Sequence, residues 1–144
     1  MAPVQNPIAT RLKFPQLWTG VINAGATTTP QILLTAGASG SKLLGVLLNS
    51  TDSVARAITI SANTGAANFP ITTITVPAGA GNGTINSVSV FNQSGPGGLN
   101  GMLPVDNDGQ QFLFVPFSNT ILFATGVTLT AATFIYGIGV GADF

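Results

Sequence analysis

The sequence predicts an all-β fold: one antiparallel β-sandwich, jelly-roll-like, of about eight or nine short strands behind an extended N-terminal arm. Three observations carry this expectation. No segment holds apolar residues at helical spacing over ten residues with capping residues at its ends. Apolar runs of five to nine residues recur at intervals near ten. The gaps between them are rich in Gly, Pro and Asn, the residues that turn a chain most cheaply. At 144 residues the chain has the size of one domain and can bury a single core.

Residues 1–15 (MAPVQNPIATRLKFP) read as the arm, and residues 16–144 as the domain. Pro3, Pro7 and Pro15 block a helix, and Arg11 and Lys13 are half of the cations in the chain. Val4, Ile8, Leu12 and Phe14 are apolar anchors that a solvated tail would not need, so the arm is expected to tie down onto a neighbour. The start lacks the apolar core of a signal peptide, and no secretory leader is expected.

The first strand is expected over residues 17–24 (LWTGVINA), followed by a turn at 25–30 and a strand over 31–35 (QILLT). After the loop 36–41, residues 42–49 (KLLGVLLN) form a nearly continuous apolar run, consistent with burial on both faces. A turn at 50–53 leads to residues 54–62 (VARAITISA). There Ile58, Ile60 and Ala62 share one face, with Thr59 and Ser61 on the other. Another turn precedes 71–76 (ITTITV), and 77–83 (PAGAGNG) is turn composition throughout. Residues 84–91 fit a strand or one helical turn, and 92–101 (NQSGPGGLNG) is a loop.

The last third, 103–144, holds six of the nine Phe and the one Tyr. Strands are expected at 111–115 (QFLFV), 120–124 (TILFA) and 133–141 (TFIYGIGVG). In the last of these, Phe134, Tyr136, Ile138 and Val140 alternate with a small face bearing Gly137, Gly139 and Gly141. Glycine within a strand marks close approach of another backbone or a flat packing surface, and this smooth face is expected to meet a neighbour. Residues 121–142 carry no charge and are long enough to cross a bilayer. Their four Thr, four Gly, period-two alternation and lack of flanking Lys or Arg favour a pair of strands over a membrane span.

Charge excludes several functions. Lys and Arg number four, Asp four, with no Glu and no His, so 6% of residues are charged against about 25% in an average chain. Four scattered cations do not make the footprint of a nucleic-acid binder. Without Cys there is neither disulfide nor thiolate metal site. Without His, the plentiful Ser and Thr lack the common activator of a hydroxyl nucleophile. The run 79–83 lacks the Lys-Ser/Thr of a phosphate loop. No catalytic residue, cofactor site or metal site is assigned, and the chain is read as a non-enzyme.

Asp106 and Asp108, followed by Gly109, superficially suit a calcium loop, but that template ends in Glu. They read instead as a solvated turn in which the acidic side chains bond local amides and Gly supplies positive φ. A weak cation site shared between subunits is the alternative. Asn49, Asn82 and Asn92 stand in N-x-S/T triplets that composition alone accounts for. Trp18 and the nine Phe are read as core or subunit interface, since aromatics bury so much area and no basic groove accompanies them.

The block LPVDNDGQQFLFVPFSNTILFATGVTLTAATFIYGIGVGADF, with LLGVLLNSTDSVARAITISAN and ITVPAGAGNG upstream, resembles small β-rich virion proteins of tailed bacteriophages that decorate or cement the head. Shared features are a strand ending in N-S or N-T, a VPAG turn, an LP-x-D-x-x-G-x-x-(F/Y)-L-x-(V/L)-P block, and a Gly-rich last strand closing on Ala142, Asp143 and Phe144. The resemblance spans roughly residues 42–144. It implies a trimeric sandwich seated where capsomers meet on the virion surface, with the major capsid protein and copies of itself as partners. On that basis Arg11, Lys13 and Phe14 are candidate contacts to the shell, and Tyr136, Gly137, Gly139 and Phe144 are candidates for the subunit interface. A tail-tube, adaptor or head–tail component, and a carbohydrate-binding host-attachment module, are the competing expectations.

Overall fold

A computed structural model of the protein describes residues 14–25 and 28–144. Among these residues there is no helix, and nine strands follow in order. They are β1 (Phe14–Asn23), β2 (Gln31–Thr35), β3 (Ser41–Ser50), β4 (Arg56–Asn63), β5 (Asn68–Val76), β6 (Val88–Ser89), β7 (Leu113–Val115), β8 (Thr120–Thr125) and β9 (Phe134–Asp143). Every pairing is antiparallel. One sheet runs β1-β9-β3-β6, with β7 also on β3, and the other runs β2-β8-β4-β5.

The two sheets bury one cluster between them. Ile22, Leu43, Val46, Leu48 and Ile135 come from the first sheet, and Leu33, Leu34, Ile58, Ile60, Ile74, Val76, Ile121 and Phe123 from the second. Val88 of β6, Val115 of β7 and loop residues Ala36, Ala80, Val90, Phe91, Leu99 and Leu129 complete the cluster. Gly20 and Gly137 are register partners on β1 and β9. The ring of Phe123 from β8 fills the space their missing side chains leave.

Several boundaries differ from the sequence expectation. The first strand begins by Phe14, so Phe14 and Pro15 belong to the sheet and not to the arm: Phe14 pairs with Asp143 and Pro15 with Ala142. β1 is an edge strand, where a residue without an N–H is tolerated. The rest of the expected arm lies outside the described residues. β5 reaches back through Pro70 to Asn68 for the same reason, being the edge of its own sheet, with a register shift opposite it at Ile60/Ser61. That shift also breaks the alternation expected in β4, and Ser61 is buried. Residues 84–91 yield only the two-residue β6, paired with Leu47 and Leu48.

The uncharged run 121–142 forms two strands, but they are not partners. β8 lies in one sheet and β9 in the other, and residues 126–133 cross between them. Among the described residues no helix is long and apolar enough to cross a membrane. The phenylalanines divide between core and surface. Only Phe91 and Phe123 are buried, whereas Phe14, Phe69, Phe114, Phe117 and Phe134 are exposed.

Candidate interaction surface

From Phe134 to Val140 strand β9 alternates because its two sides face different media. Ile135, Gly137 and Gly139 are buried; Phe134, Tyr136 and Val140 are exposed, and Ile138 is half-covered. This corrects the expectation that the glycine side is the one offered to a neighbour. Gly137 and Gly139 point into the core, where a Cβ on Gly137 would sit 3.1 Å from Phe123 and one on Gly139 3.3 Å from Leu43. The glycines are smooth because the opposite sheet presses on them.

The outward side carries the surface. Register places Leu17 beside Val140, Thr19 beside Ile138, Val21 beside Tyr136 and Asn23 beside Phe134 across β1 and β9. On the far side of β9, Leu47 stands beside Ile138 and Asn49 beside Tyr136. Leu17 is 66% exposed, and Val21, Leu47, Phe134, Tyr136 and Val140 are each more than a third exposed. The rings of Phe134 and Tyr136 stack with centroids 5.9 Å apart. No residue in these four cross-strand rows is charged. An apolar patch that crosses three strands marks an interaction site more often than chance exposure does. β1 ends its sheet, so one side of a ten-residue strand free of Lys and Arg has no partner strand among the described residues. Proteins commonly blunt such an edge with charge, or cover it.

Of the residues singled out from sequence, Tyr136 lies in this surface. Phe14, 59% exposed, begins β1 at one end of it. Phe144 is half-buried beyond the end of β9, its ring 5.6 Å from that of Phe114, and does not join Tyr136. Arg11 and Lys13 lie outside the described residues. Leu17, Val21 and Leu47 were missed. Leu17 and Val21 share a period-two row with Thr19, a signal present in LWTGV but overshadowed by Trp18, which packs half-buried against the core.

The acidic residues have specific tasks. Lys42, at the start of the run read as continuously apolar, is buried, and its ammonium lies 2.6 Å from Asp106 and 4.8 Å from the ring centre of Phe112. Asp106 is therefore not a solvated turn residue, and the cation beside it is the protein's own. The other oxygen of Asp106 accepts the N–H groups of Asp108 and Gln110, and Gly109 takes φ 78°, so the turn itself forms as read. The bond from Lys42, then that from Gln110, holds the Asp106 carboxyl below its ordinary pKa. Asp52 is buried and accepts from Arg56 at 2.7 Å and from the Thr130 hydroxyl at 2.6 Å. Among the described residues no three His, Cys, Asp or Glu side chains gather as a metal site would need.

No family model, curated protein or solved structure matches the chain. The surface must be judged by its own chemistry. It has no nucleophile, no base and no charge, and it offers apolar area, two stacked rings and an open strand edge. Burial of apolar area and backbone pairing are the interactions such a surface can make.

Proposed function

We propose that this protein is a structural virion subunit that cements the capsid of a tailed bacteriophage, binding between capsomers and to copies of itself, with a trimer as the expected state. The observation that carries the reading is the uncharged outer face of β1, β9 and β3 beside the open β1 edge. A free monomer would expose that area to water, whereas a subunit of a shell covers it. Each added interface on an assembled shell raises the free energy needed to open it, by mass action.

Two further features support the reading. Successive strands alternate between the sheets, β1 in one, β2 in the other, β3 in the first again, with only β4–β5 and β6–β7 staying in one sheet. That order suits a jelly roll, an architecture recurrent in viral capsid proteins. The sequence blocks that resemble head-decoration proteins also include β9 itself, which supplies the aromatic row of the face.

The test is co-sedimentation with expanded empty capsids, together with light scattering of the free protein. Binding is expected, with a mass near three times the 14.5 kDa of one chain. Tyr136→Asp and Leu17→Asp are expected to weaken assembly by roughly 30-fold or more, the loss usual for a hot-spot residue at an interface, while thermal unfolding stays cooperative. Deleting residues 1–13, with Arg11 and Lys13, is expected to weaken capsid binding and leave self-association intact. A hexameric or dodecameric ring would favour a tail component and overturn the cement reading.

A further inference from the structure

At the Val140 end of the apolar face the surface sinks into a cleft of about 560 Å³. Its floor is aliphatic, made by Val140 and Leu44. Leu44 is the unpaired residue of a bulge: Leu43 pairs with Gly141 and Gly45 with Val140, leaving Leu44 without a partner on β9. Gly45, opposite Val140, adds no side chain that would fill the depression.

The walls carry carboxamides. Asn92 and Asn100 come from the loop after β6, and Gln110 from the turn that follows Val105. Both loops are fixed by bonds that leave these amides to the cleft. In the first loop Leu99 N–H donates to Val90 C=O at 2.9 Å, and the Asn100 amide N–H donates to the Ser94 hydroxyl at 2.9 Å, leaving its carbonyl oxygen. In the second, Gln110 uses its backbone N–H to donate to Asp106 Oδ1 at 2.9 Å, and Asp106 is anchored in turn on the buried ammonium of Lys42. Gln111 joins the two. With its amide oriented to satisfy both ends, its N–H donates to Phe91 C=O at 2.9 Å and its oxygen accepts from Gly101 N–H at 2.5 Å. The cleft is thus held open by its own framework, with the Lys42–Asp106 pair as its footing.

The chemistry of the lining narrows the ligand. No charged side chain lines it, so a phosphate, carboxylate or ammonium would give up water without a counter-charge. Carboxamides offer a donor and an acceptor side by side, which matches the paired donor and acceptor of neighbouring hydroxyls. The aliphatic floor suits a C–H face, and the volume lies in the range of small-molecule sites. We propose that this cleft binds a neutral saccharide, with Asn92, Asn100 and Gln110 bonding its hydroxyls and Leu44 and Val140 under its ring. The proposal goes beyond the capsid reading and does not rest on it: the cleft shares Val140 with the apolar face, but its carboxamides come from residues 92, 100 and 110, outside that face.

The experiment is a titration of the full chain by two-dimensional amide NMR. The probes are glucose, galactose, mannose, N-acetylglucosamine and their disaccharides, with sialic acid and glucose 6-phosphate as acidic comparisons. Saturable shifts confined to residues 44, 92, 100, 109–111 and 140 are expected with at least one neutral sugar. The double variant Asn92→Ala/Gln110→Ala alters two exposed side chains and should keep its melting temperature while binding at least ten-fold more weakly. No saturable shift with any neutral sugar, a preference for the acidic probes, or undiminished binding by the double variant would each overturn the assignment. A response to peptides alone would do the same.

Discussion

Replacing Phe123 with alanine is expected to lower the free energy of unfolding by about 4 kcal/mol, near the upper end for large-to-small changes in a core. The ring is completely buried and is the largest side chain in that state. It bridges the sheets, because a Cβ on Gly20 would fall 2.6 Å from it and one on Gly137 3.1 Å from it. Removing the ring leaves a void bordered by two residues with no side chain to collapse into it. The complementary change, Gly20→Ala, is expected to cost about 2 kcal/mol, because its Cβ would also stand 2.6 Å from the backbone carbonyl oxygen of Ile32. Gly137→Ala meets only side-chain atoms, at 3.1 to 3.2 Å, and should be milder. Because Gly137 and Phe123 share one space, Phe123→Leu and Gly137→Ala together are expected to cost less than their sum, by about 1 kcal/mol. Urea titration of the four proteins in that cycle measures the coupling. Strict additivity would mean that the ring and the glycine do not occupy a common contact.

The same contact explains what the sequence could reveal about the fold. Strand number and the absence of helix were legible, because period-two alternation and turn residues are local signals. Which strand lies beside which was not. Residues 121–142 looked like two adjoining strands, yet β8 and β9 went to opposite sheets, a choice made by burial across the core and invisible in either strand alone. The side of β9 that faces inward was misjudged for a related reason. A row of glycines reads as a flat exterior until a bulky ring, here Phe123, is known to occupy the space opposite. Pro15 and Pro70 marked strand ends in the sequence, but at sheet edges they interrupt nothing.

The candidate surface was half legible. The aromatic row of β9 followed from alternation, and with it Tyr136. Its extension onto β1 and β3 needed the register, since Leu17 and Val140 are more than a hundred residues apart. Lys42 and Asp106 were the plainest failure. Lys42 was read only as the first residue of a nearly continuous apolar run, and Asp106 as a solvated turn residue. A buried charge becomes tolerable only when its counter-charge arrives from elsewhere in the chain, and no local pattern announces that.

Asp52 offers the other large effect, and its sign with pH follows from its partners. Burial alone would raise the carboxyl pKa. The bonds from Arg56, the Thr130 hydroxyl and the N–H groups of Thr130 and Val54 outweigh it and hold the group well below the ordinary carboxylate range. The folded state therefore binds this proton more weakly than the unfolded chain, where the ordinary value is 3.8. Stability from Asp52 is fully present above that value and is lost as pH falls below it, and Asp106 acts in the same direction. With no His and no Glu in the chain, the melting temperature is expected to be nearly flat from about pH 5 to 9 and to drop below about pH 4. Asp52→Asn keeps the shape but loses the charge, leaving Arg56 without its partner and turning an N–H group toward other donors. It is expected to cost about 3 kcal/mol at neutral pH. Asp52 ties the turn after β3, through Thr130, to the crossing from β8 to β9, so the loss should loosen both sheets at one end. The discriminating measurement is the gap in stability between the two proteins as pH is lowered. It should narrow steadily below about pH 4, because protonation does to the native protein what the substitution has already done. Parallel acid profiles would place the acid-sensitive element elsewhere.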